Sequence, residues 1–129
     1  MIRIEVDPAL SHDELDVLWR SAWGEAAGDY AQRVLPRSLA FVGAFDGVRL
    51  VGFANVAWDG GVHAFLLDTC VHVDFQRRGI ATTLVRRATE IAKERGAVWL
   101  HVDFEPHLDG FYRACGFRPT AAGLIELSA

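Results

Sequence analysis

A short turn between an apolar segment and an amphipathic helix constrains the fold of this chain most. The turn, Gln76–Ala81, reads QRRGIA. Residues 65–73 before it are rich in apolar and β-branched side chains, which predicts a strand, and apolar residues after it recur at helical spacing as far as Gly96. The first amides of a helix lack intrahelical partners and carry a partial positive charge. The sequence therefore predicts that this turn binds an anion, with Gly79 letting the ligand approach the backbone.

Caps, periodicity and turn residues predict the order of the elements. Ser11 and Glu14 form a capping-box pattern ahead of a helix that ends near Trp23. The residue before Pro36 disfavours helical geometry and so ends a second, short helix. In chain order we expect a strand at 2–6, helices at 11–23 and 29–35, strands at 39–45, 49–58 and 62–73, a helix at 80–96, a strand at 98–102, a helix at 107–115 and a final strand or hairpin from 117 to 127.

The connection between two of these strands fixes their relative direction. The strand at residues 98–102 must run parallel to the strand at 62–73, because the long helix connects them. The sequence HVDF occurs twice, at His72–Phe75 and His101–Phe104, but different residues follow the two copies, so we infer no repeat. No linker or low-complexity run divides the 129 residues. We expect a single α/β (α+β) domain with helices on the faces of a mixed sheet.

The overall charge argues against nucleic acid as a partner. The formal net charge is -4 at pH 7, whereas binding to a phosphate backbone requires a basic surface. Four arginines form a local exception. Arg77 and Arg78 lie on the turn, where holding a phosphate is the stronger hypothesis. For Arg86 and Arg87, a solvated helix face and a phosphate contact are equally good interpretations.

Signals for export, membrane insertion and metal binding are absent from the sequence. There is no charged-then-apolar leader and no apolar run of about 18 residues, so we expect a soluble, cytoplasmic protein without a membrane partner. Cys70 and Cys115 fit a reducing compartment, and both lie in apolar patterns that favour packing. His72 and Asp74 could share a strand face, but no established ligand spacing accompanies them, so no metal is predicted.

Two sequence blocks resemble those of the GNAT-type N-acetyltransferases. Gln76–Ala81 fits the pattern Gln/Arg-x-x-Gly-x-Gly/Ala at a strand-to-helix turn, and Phe111–Phe117 (FYRACGF) is similar to the aromatic-Tyr-x-x-x-Gly-Phe segment near the C-terminus of many members. The resemblance extends from about Leu39 to Phe117. It implies a mixed sheet of six or seven strands with about four helices, a central parallel strand pair splayed to admit CoA, and acetyl-CoA as the cofactor.

The resemblance also implies which residues bind the cofactor. In the family the pantetheine arm of acetyl-CoA enters between the two splayed strands and pairs with the backbone of the first, here at Cys70, Val71 and Val73. The pyrophosphate lies on the turn. The cofactor contacts expected there and nearby are Gln76, Arg77, Arg78, Gly79, Ile80, Ala81, Thr82 and Phe111. One departure is the Glu105-Pro106-His107 segment, where the family often has an asparagine, and this puts one cofactor contact in doubt.

Direct attack of an amine on the acetyl thioester, as the resemblance implies, requires a base. Alkylamines are mostly protonated near neutral pH, so a group must take the proton. If the strand is regular, Asp68, Cys70 and His72 share one face, opposite Leu67, Thr69 and Val71. Asp68 matches a position where several amine-acetylating relatives carry an acid, although it could instead pair with an arginine at a sheet surface. His72 is the alternative base, and either residue could act through a water.

A hydrogen-bond donor for the leaving thiolate is expected at Tyr112. This residue matches the tyrosine that serves that role in many relatives, and a phenol stays protonated at neutral pH. The competing interpretation is that Phe111 and Tyr112 simply pack the short helix. We favour packing for Phe111 and catalysis for Tyr112.

The acceptor substrate is the least constrained part of the prediction. In the family the first two helices and the hairpin loops shape its site, which corresponds here to Trp23, Glu25, Asp29, Tyr30 and Asn55. The acidic pair Glu25 and Asp29 would suit a cationic amine, but loops also carry such residues for solubility. Trp19 and Trp23 share a helix face, which favours core packing for at least one of them.

Two classes of function are consistent with the sequence. The first is an acetyl-CoA-dependent N-acetyltransferase that acts on a primary amine of a small molecule or a protein. The second is a non-catalytic acyl-CoA-binding or regulatory module on the same fold, in which Asp68 and Tyr112 are structural. Relatives are frequently dimers, so a homodimer also stays open.

Overall fold

Five strands form a single sheet in a computed structural model that describes residues 1–128. The sheet order follows the sequence, and every neighbouring pair is antiparallel except β4 and β5, which are parallel as predicted. The strands and α-helices are β1 (Ile2–Val6), α1 (His12–Trp23), α2 (Tyr30–Arg33), β2 (Ala40–Asp46), β3 (Arg49–Trp58), β4 (His63–Val71), α3 (Ile80–Glu94), β5 (Trp99–His101) and α4 (Asp109–Ala114), and short 3₁₀ turns occupy Leu35–Arg37, Val73–Phe75 and Pro106–Leu108.

The first helix begins at the predicted capping box. The Ser11 side chain accepts a hydrogen bond from the Glu14 amide at 3.1 Å, and the Glu14 carboxylate accepts one from the Ser11 amide at 2.9 Å. Gly24 ends the helix with a left-handed φ of 78°. An N-cap of this kind contributes about 1 kcal/mol, so the start of α1 is set by residues adjacent in sequence.

Separate apolar cores cover the two faces of the sheet. On one face α3 packs over β2, β3 and β4 through residues that include Val42, Val51, Ile80 and Leu84. On the other face α1 and α2 pack over the sheet through Leu15, Leu18, Trp19, Phe53 and Cys70. The sheet therefore presents different side chains to α3 and to the α1–α2 layer, and β4 contributes side chains to both cores.

Gly52 brings α3 close to the sheet. A Cβ atom at this position would lie 2.9 Å from Leu84 Cδ1 and 3.3 Å from both Ala44 Cβ and Ile80 Cγ2. Because Ile80 is the first residue of α3, the missing side chain at Gly52 fixes the height of the helix N-terminus above β3.

The parallel strands separate soon after they begin to pair. Pairing of β4 with β5 is confined to His63, Ala64 and Phe65 against Trp99, Leu100 and His101. Beyond Phe65, β4 continues to Val71 with a strand neighbour on the β3 side only, as far as residues 1–128 show. The expected splay of the central pair is therefore present and exposes backbone groups along the second half of β4.

The sheet has five strands, so the expectation of six or seven is wrong. Residues 117–128 form neither a strand nor a helix, and Leu124, Ile125 and Leu127 are exposed. A strand requires a pairing partner, and β5 is only three residues long, shorter than the predicted segment. Pro119 further removes a backbone donor from the segment that was expected to pair.

Two local predictions also differ in detail. The hairpin between β2 and β3 turns at Gly47 and Val48, because Asp46 pairs with Arg49 and so belongs to the strand. The second helix is shorter than predicted and is followed by a 3₁₀ turn that contains Pro36. No helix within residues 1–128 is long and apolar enough to cross a membrane.

Candidate functional site

The turn before α3 has the open helix N-terminus that the sequence predicts. Gly79 is the N-cap with φ 78°, and within the described chain no side chain caps this helix end. Arg77 also has a positive φ, of 63°. A Cβ atom at Gly79 would meet nothing within 4 Å among residues 1–128, so its conformation, and not crowding, requires glycine. The first amides of α3 are therefore free to donate hydrogen bonds to an anion.

A cavity of about 250 Å³ lies at this helix end. Most of the residues that line it were predicted to bind the cofactor, and Phe75 is a further lining residue that was not predicted. Phe75 is buried between the strand and the turn, where its apolar type within an otherwise polar stretch was the available signal. The lining residues are Val71, Phe75, Gln76, Arg77, Gly79, Ile80, Ala81, Thr82 and Phe111.

Three predicted cofactor contacts lie outside this cavity lining. Cys70 is buried in the core on the α1–α2 side of the sheet. The Val73 amide donates to the Ser21 hydroxyl at 2.9 Å, which occupies it with a protein partner. The Arg78 guanidinium lies over the Phe75 ring, 4.9 Å from its centre. The other predicted contacts, which are Val71, Phe111 and residues 76–82 except Arg78, line the cavity.

A β-bulge interrupts β4 beside the gap between the parallel strands. Phe53 pairs with Cys70 and Asn55 pairs with Leu67, so two residues, Asp68 and Thr69, face one residue of β3. Asp68 has a φ of 57°, an uncommon conformation for a residue other than glycine. Such strain is concentrated at functional sites.

The bulge changes which residues share a face of the sheet. Leu66 and Val71 belong to the same core cluster under α3, although five positions would place them on opposite faces of a regular strand. The expected alternation therefore fails between Leu67 and Asp68 and holds from Asp68 to Val71. Asp68 and Cys70 lie toward the α1–α2 layer, whereas Thr69 lies toward α4.

Asp68 is exposed and receives a hydrogen bond from α2. The Tyr30 hydroxyl donates to Asp68 Oδ2 at 2.7 Å. Burial raises the pKa of Tyr30, and the hydrogen bond to Asp68 raises it further, so the phenol stays protonated and keeps donating. Tyr30 is held by its ring, which packs 4.8 Å from Trp19 and 5.9 Å from Phe53 between ring centres. The carboxylate is thus oriented by a rigid donor, with no arginine paired to it in the described residues.

Neither cysteine is prepared for nucleophilic chemistry. Burial raises the pKa of the Cys70 thiol, and the neighbouring Asp68 carboxylate raises it further. Burial also raises the pKa of Cys115. Both side chains are therefore neutral thiols near neutral pH, whereas a nucleophilic cysteine requires a thiolate.

Tyr112 lies on α4 beside the bulge. Its side chain is 7% exposed and stacks on Phe104 with a ring separation of 4.8 Å. Burial raises the pKa of Tyr112, and a hydrogen bond with the Thr69 side chain partly offsets this increase. Thr69 follows Asp68 directly in the bulge. Tyr112 therefore contacts the residue next to Asp68, from the opposite face of the sheet.

His72 lies beyond the end of β4 and faces other partners. Its Nε2 atom is 3.2 Å from Arg49 Nη2, and its Nδ1 atom accepts from the Asp74 amide at 3.1 Å. The side chain also packs against Phe75. The structure therefore groups His72 with the start of β3 and not with Asp68. In the described part of the chain, no three His, Cys, Asp or Glu side chains are grouped to hold a metal ion.

The predicted acceptor residues divide into two groups. Tyr30 contacts Asp68, and Asn55 is fully buried one strand away. In contrast, Trp23 packs edge-on against Trp19, and Glu25 and Asp29 are exposed in the segment between α1 and α2. The structure thus brings Tyr30 and Asn55 to the bulge and leaves the acidic pair at the surface.

Comparison with known proteins finds one family over most of the chain. Residues 9–117 match the family model described as acetyltransferase (GNAT) family. An acetyltransferase of the GNAT family from Streptococcus pneumoniae superposes with a TM-score of 0.83 at 26% identity, covering 99% of this chain and 98% of that one. A Bacillus subtilis acetyltransferase crystallised in complex with CoA has a TM-score of 0.75 at 27% identity, covering 94% and 79%.

A curated relative matches a shorter stretch. An uncharacterized N-acetyltransferase, ycf52, of Porphyra purpurea is 32% identical over 69 residues. That alignment covers 54% of this chain and 40% of the relative, so the chain spans less than half of the relative's length.

Proposed function

The chain belongs to the acetyltransferase (GNAT) family, and we propose that it transfers the acetyl group of acetyl-CoA to a primary amine in a ternary complex. The observation that carries this proposal is the open N-terminus of α3 beside the splayed end of β4. Its amides fit a pyrophosphate, and the gap beside β4 fits an extended arm that ends near the bulge. Acetyl-CoA is accordingly the donor.

The residues of the cavity fit the phosphate end of this donor. Gly79 has no Cβ in the open space in front of the helix, and Ala81 adds only a methyl group. Arg77 lines the cavity and supplies a positive charge to the same place. Gln76 donates through Nε2 to the Val71 carbonyl at 3.3 Å, which ties the turn to the end of β4. The turn before α3 and the end of β4 are therefore held together.

Asp68 is the base that this proposal assigns. Bound acetyl-CoA supplies a thioester, whose carbonyl carbon forms a bond to the amine nitrogen as its bond to sulfur breaks. Asp68 takes the proton that the nitrogen loses, directly or through a water. The exposed position of Asp68 beside the gap and its hydrogen bond from Tyr30 support this role. His72 is not used, since its Nδ1 atom accepts from the Asp74 amide and its Nε2 atom lies against the Arg49 guanidinium.

Tyr112 is the donor that this proposal assigns to the leaving sulfur. Its raised pKa keeps the phenol protonated at neutral pH, so a proton is present to give. Its location next to Thr69 supports a role at the bulge. Its stacking on Phe104 favours the rival function, a CoA-binding module in which the ring is structural. The two functions differ in whether any amine is acetylated.

Release of the CoA thiol from acetyl-CoA in the presence of a broad amine panel tests the proposal. We expect release above the amine-free background with at least one amine class. Tyr112→Phe and Asp68→Asn should each lower kcat by about 10²-fold or more while the dissociation constant for CoA stays unchanged. His72→Asn is the discriminating variant for the base, because it removes the alternative and leaves Asp68 in place.

Two results would contradict the proposal at different levels. Tight CoA binding without thiol release for any amine would favour the non-catalytic module. A large loss of kcat in His72→Asn together with a normal Asp68→Asn enzyme would move the base to His72. Circular dichroism of each variant separates loss of activity from loss of folding.

A further inference from the structure

A second cavity, of about 530 Å³, opens on the α1–α2 side of the sheet. It lies between the segment that follows α2 and the middle of β3. The side chains that matter for its chemistry are Arg33, Arg37, Ser38, Asn55 and Trp58. This cavity is separate from the one at the start of α3, with which it shares no lining residue.

Two arginines give the mouth of this cavity a positive charge. Arg33 and Arg37 are one helical turn apart, and the Arg37 Nη1 atom donates to the Arg33 carbonyl at 2.7 Å. This bond fixes the Arg37 side chain, which lines the cavity together with Arg33. Within residues 1–128 neither arginine forms an ion pair, and no acidic residue lines the cavity. Two unneutralised guanidinium groups at one opening are suited to an oxyanion.

The floor of the cavity contains an unpaired buried polar group. Asn55 is 0% exposed, and its carbonyl oxygen accepts from the Ser38 hydroxyl. Its Nδ2 atom lies near the Tyr30 hydroxyl but meets no acceptor in hydrogen-bonding geometry within the described chain. An unpaired buried amide costs about 1–3 kcal/mol, so it marks a place where a polar ligand atom would be stabilised.

Tyr30 links this cavity to the proposed base. Its hydroxyl donates to Asp68, and the Asn55 amide lies close enough to lower the Tyr30 pKa against the stronger effect of burial. Asn55 also pairs across the sheet with Leu67, the residue before Asp68. Asn55 therefore belongs to the cavity lining and also pairs with the residue that directly precedes Asp68.

We propose that the acceptor is a primary amine that also carries an oxyanion, a carboxylate or a phosphate, with the oxyanion bound by Arg33 and Arg37. This inference rests on the proposed acetyl transfer. The amine reaches Asp68, and the Asn55 amide donates to a polar atom between the two ends. The cavity thus does not favour the purely cationic acceptors that Glu25 and Asp29 would suit, because neither acid lines it.

Matched pairs of amines test this assignment. The probes are ω-aminoalkyl phosphates and ω-amino carboxylates of graded chain length, each compared with the ω-amino alcohol or amide of the same length. We expect kcat/KM for the charged member to exceed that of its neutral partner by about 10- to 100-fold at the best length. The phosphate and carboxylate series compared with each other show which oxyanion the arginines prefer.

Arginine variants locate the preference. Arg33→Met combined with Arg37→Met should lower kcat/KM for the charged amine more than for its neutral partner, so that the ratio of the two falls to about one. Arg118→Met is the matched control, since Arg118 is exposed in the segment after α4 and should leave the preference intact. Equal activity on both members of each pair, or a preference that survives the double substitution, would overturn the inference.

Binding measured without turnover separates this inference from the acetyl transfer itself. If no amine is acetylated, the proposed function fails, and titration of isotope-labelled protein with an aminoalkyl phosphate still examines the cavity. We expect the side-chain amide resonances of Asn55 to shift on titration of the wild-type protein and to stay fixed in the double variant. An Asn55 signal that does not move in the wild-type protein would refute the site.

Discussion

Asp68 and Tyr30 lie 38 positions apart in the chain and meet through a 2.7 Å hydrogen bond at the bulge of β4. The acceptor is an exposed carboxylate on a residue with a φ of 57°, and the donor is a tyrosine packed between Trp19 and Phe53. The α1–α2 layer thereby orients the one acid on the strained backbone next to the strand gap. Substitutions on either side of this bond should have separable effects.

Tyr30→Phe tests the bond from the donor side. The phenyl ring keeps the packing on Trp19 and Phe53, whereas the hydrogen bond to the carboxylate is lost. We expect the free energy of unfolding to fall by about 1 kcal/mol and kcat to fall by about 10-fold, since Asp68 loses its orientation. Urea unfolding and steady-state kinetics measure the two effects. An unchanged kcat would show that Asp68 needs no positioning.

Asp68 itself allows charge and backbone strain to be separated. Asn tolerates a positive φ and keeps an oxygen for Tyr30, so Asp68→Asn should fold with nearly wild-type stability and lose activity. Asp68→Ala lacks both advantages and should also lose about 1–2 kcal/mol of stability. Thermal and urea unfolding compare the two variants. Equal stability of Asn and Ala at this position would argue against stored strain at the bulge.

Gly79 can be compared with a glycine of the same conformation elsewhere. Gly79 and Gly24 both have φ 78°, and a Cβ atom at either would meet nothing within 4 Å in residues 1–128. Gly79→Ala and Gly24→Ala should therefore cost a similar 1 kcal/mol or so of stability. Only Gly79→Ala should weaken CoA binding, because its methyl group projects in front of the α3 amides. Equal CoA affinities in the two variants would place the anion elsewhere.

The alkaline limit of stability should depend on the two tyrosines, the only ones in the chain. Burial raises the pKa of both Tyr30 and Tyr112, so the unfolded chain releases these protons near pH 10 while the folded chain keeps them. Their contribution is intact below about pH 10 and is lost as pH rises toward the folded pKa values, by up to about 1.4 kcal/mol per pH unit for each.

Tyrosinate absorbance provides the measurement for this pH dependence. In the folded protein the absorbance should stay low through about pH 10 and then rise together with unfolding followed by circular dichroism. Tyr30→Phe should reduce the loss of stability above that pH. A smooth titration of both tyrosines near pH 10 without unfolding would show that the rings are accessible.

Local sequence signals predicted the elements best where the interaction lies within a few residues. The capping box of Ser11 and Glu14, the turn at Gly79 before α3 and the parallel direction of β5 all follow from neighbours or from one helical connection. The final strand was not predictable in this way. A strand there would have to pair with the edge of the sheet, and β5 at that edge has only three residues.

The candidate site shows the same division. The turn at Gln76–Ala81 was predicted from its own residues and lines a cavity as expected. The predicted alternation holds for residues 68–71 but was wrong for Leu67, because the bulge is set by the register of β3 against β4. Arg33 and Arg37 carried no signal in the sequence, since exposed arginines on a short helix are typical of any solvated surface.

The sequence by itself determined the glycine turn at Gln76–Ala81, the helix that begins at Ile80 and the parallel strands on either side of it. These features depend on backbone conformations that glycine, capping residues and apolar periodicity specify locally. Only the tertiary structure decided the strained bulge at Asp68, its hydrogen bond from Tyr30 and the joining of Asn55 and the two arginines in one cavity. Those contacts join residues far apart in sequence, so they form only when the α1–α2 layer packs against the sheet.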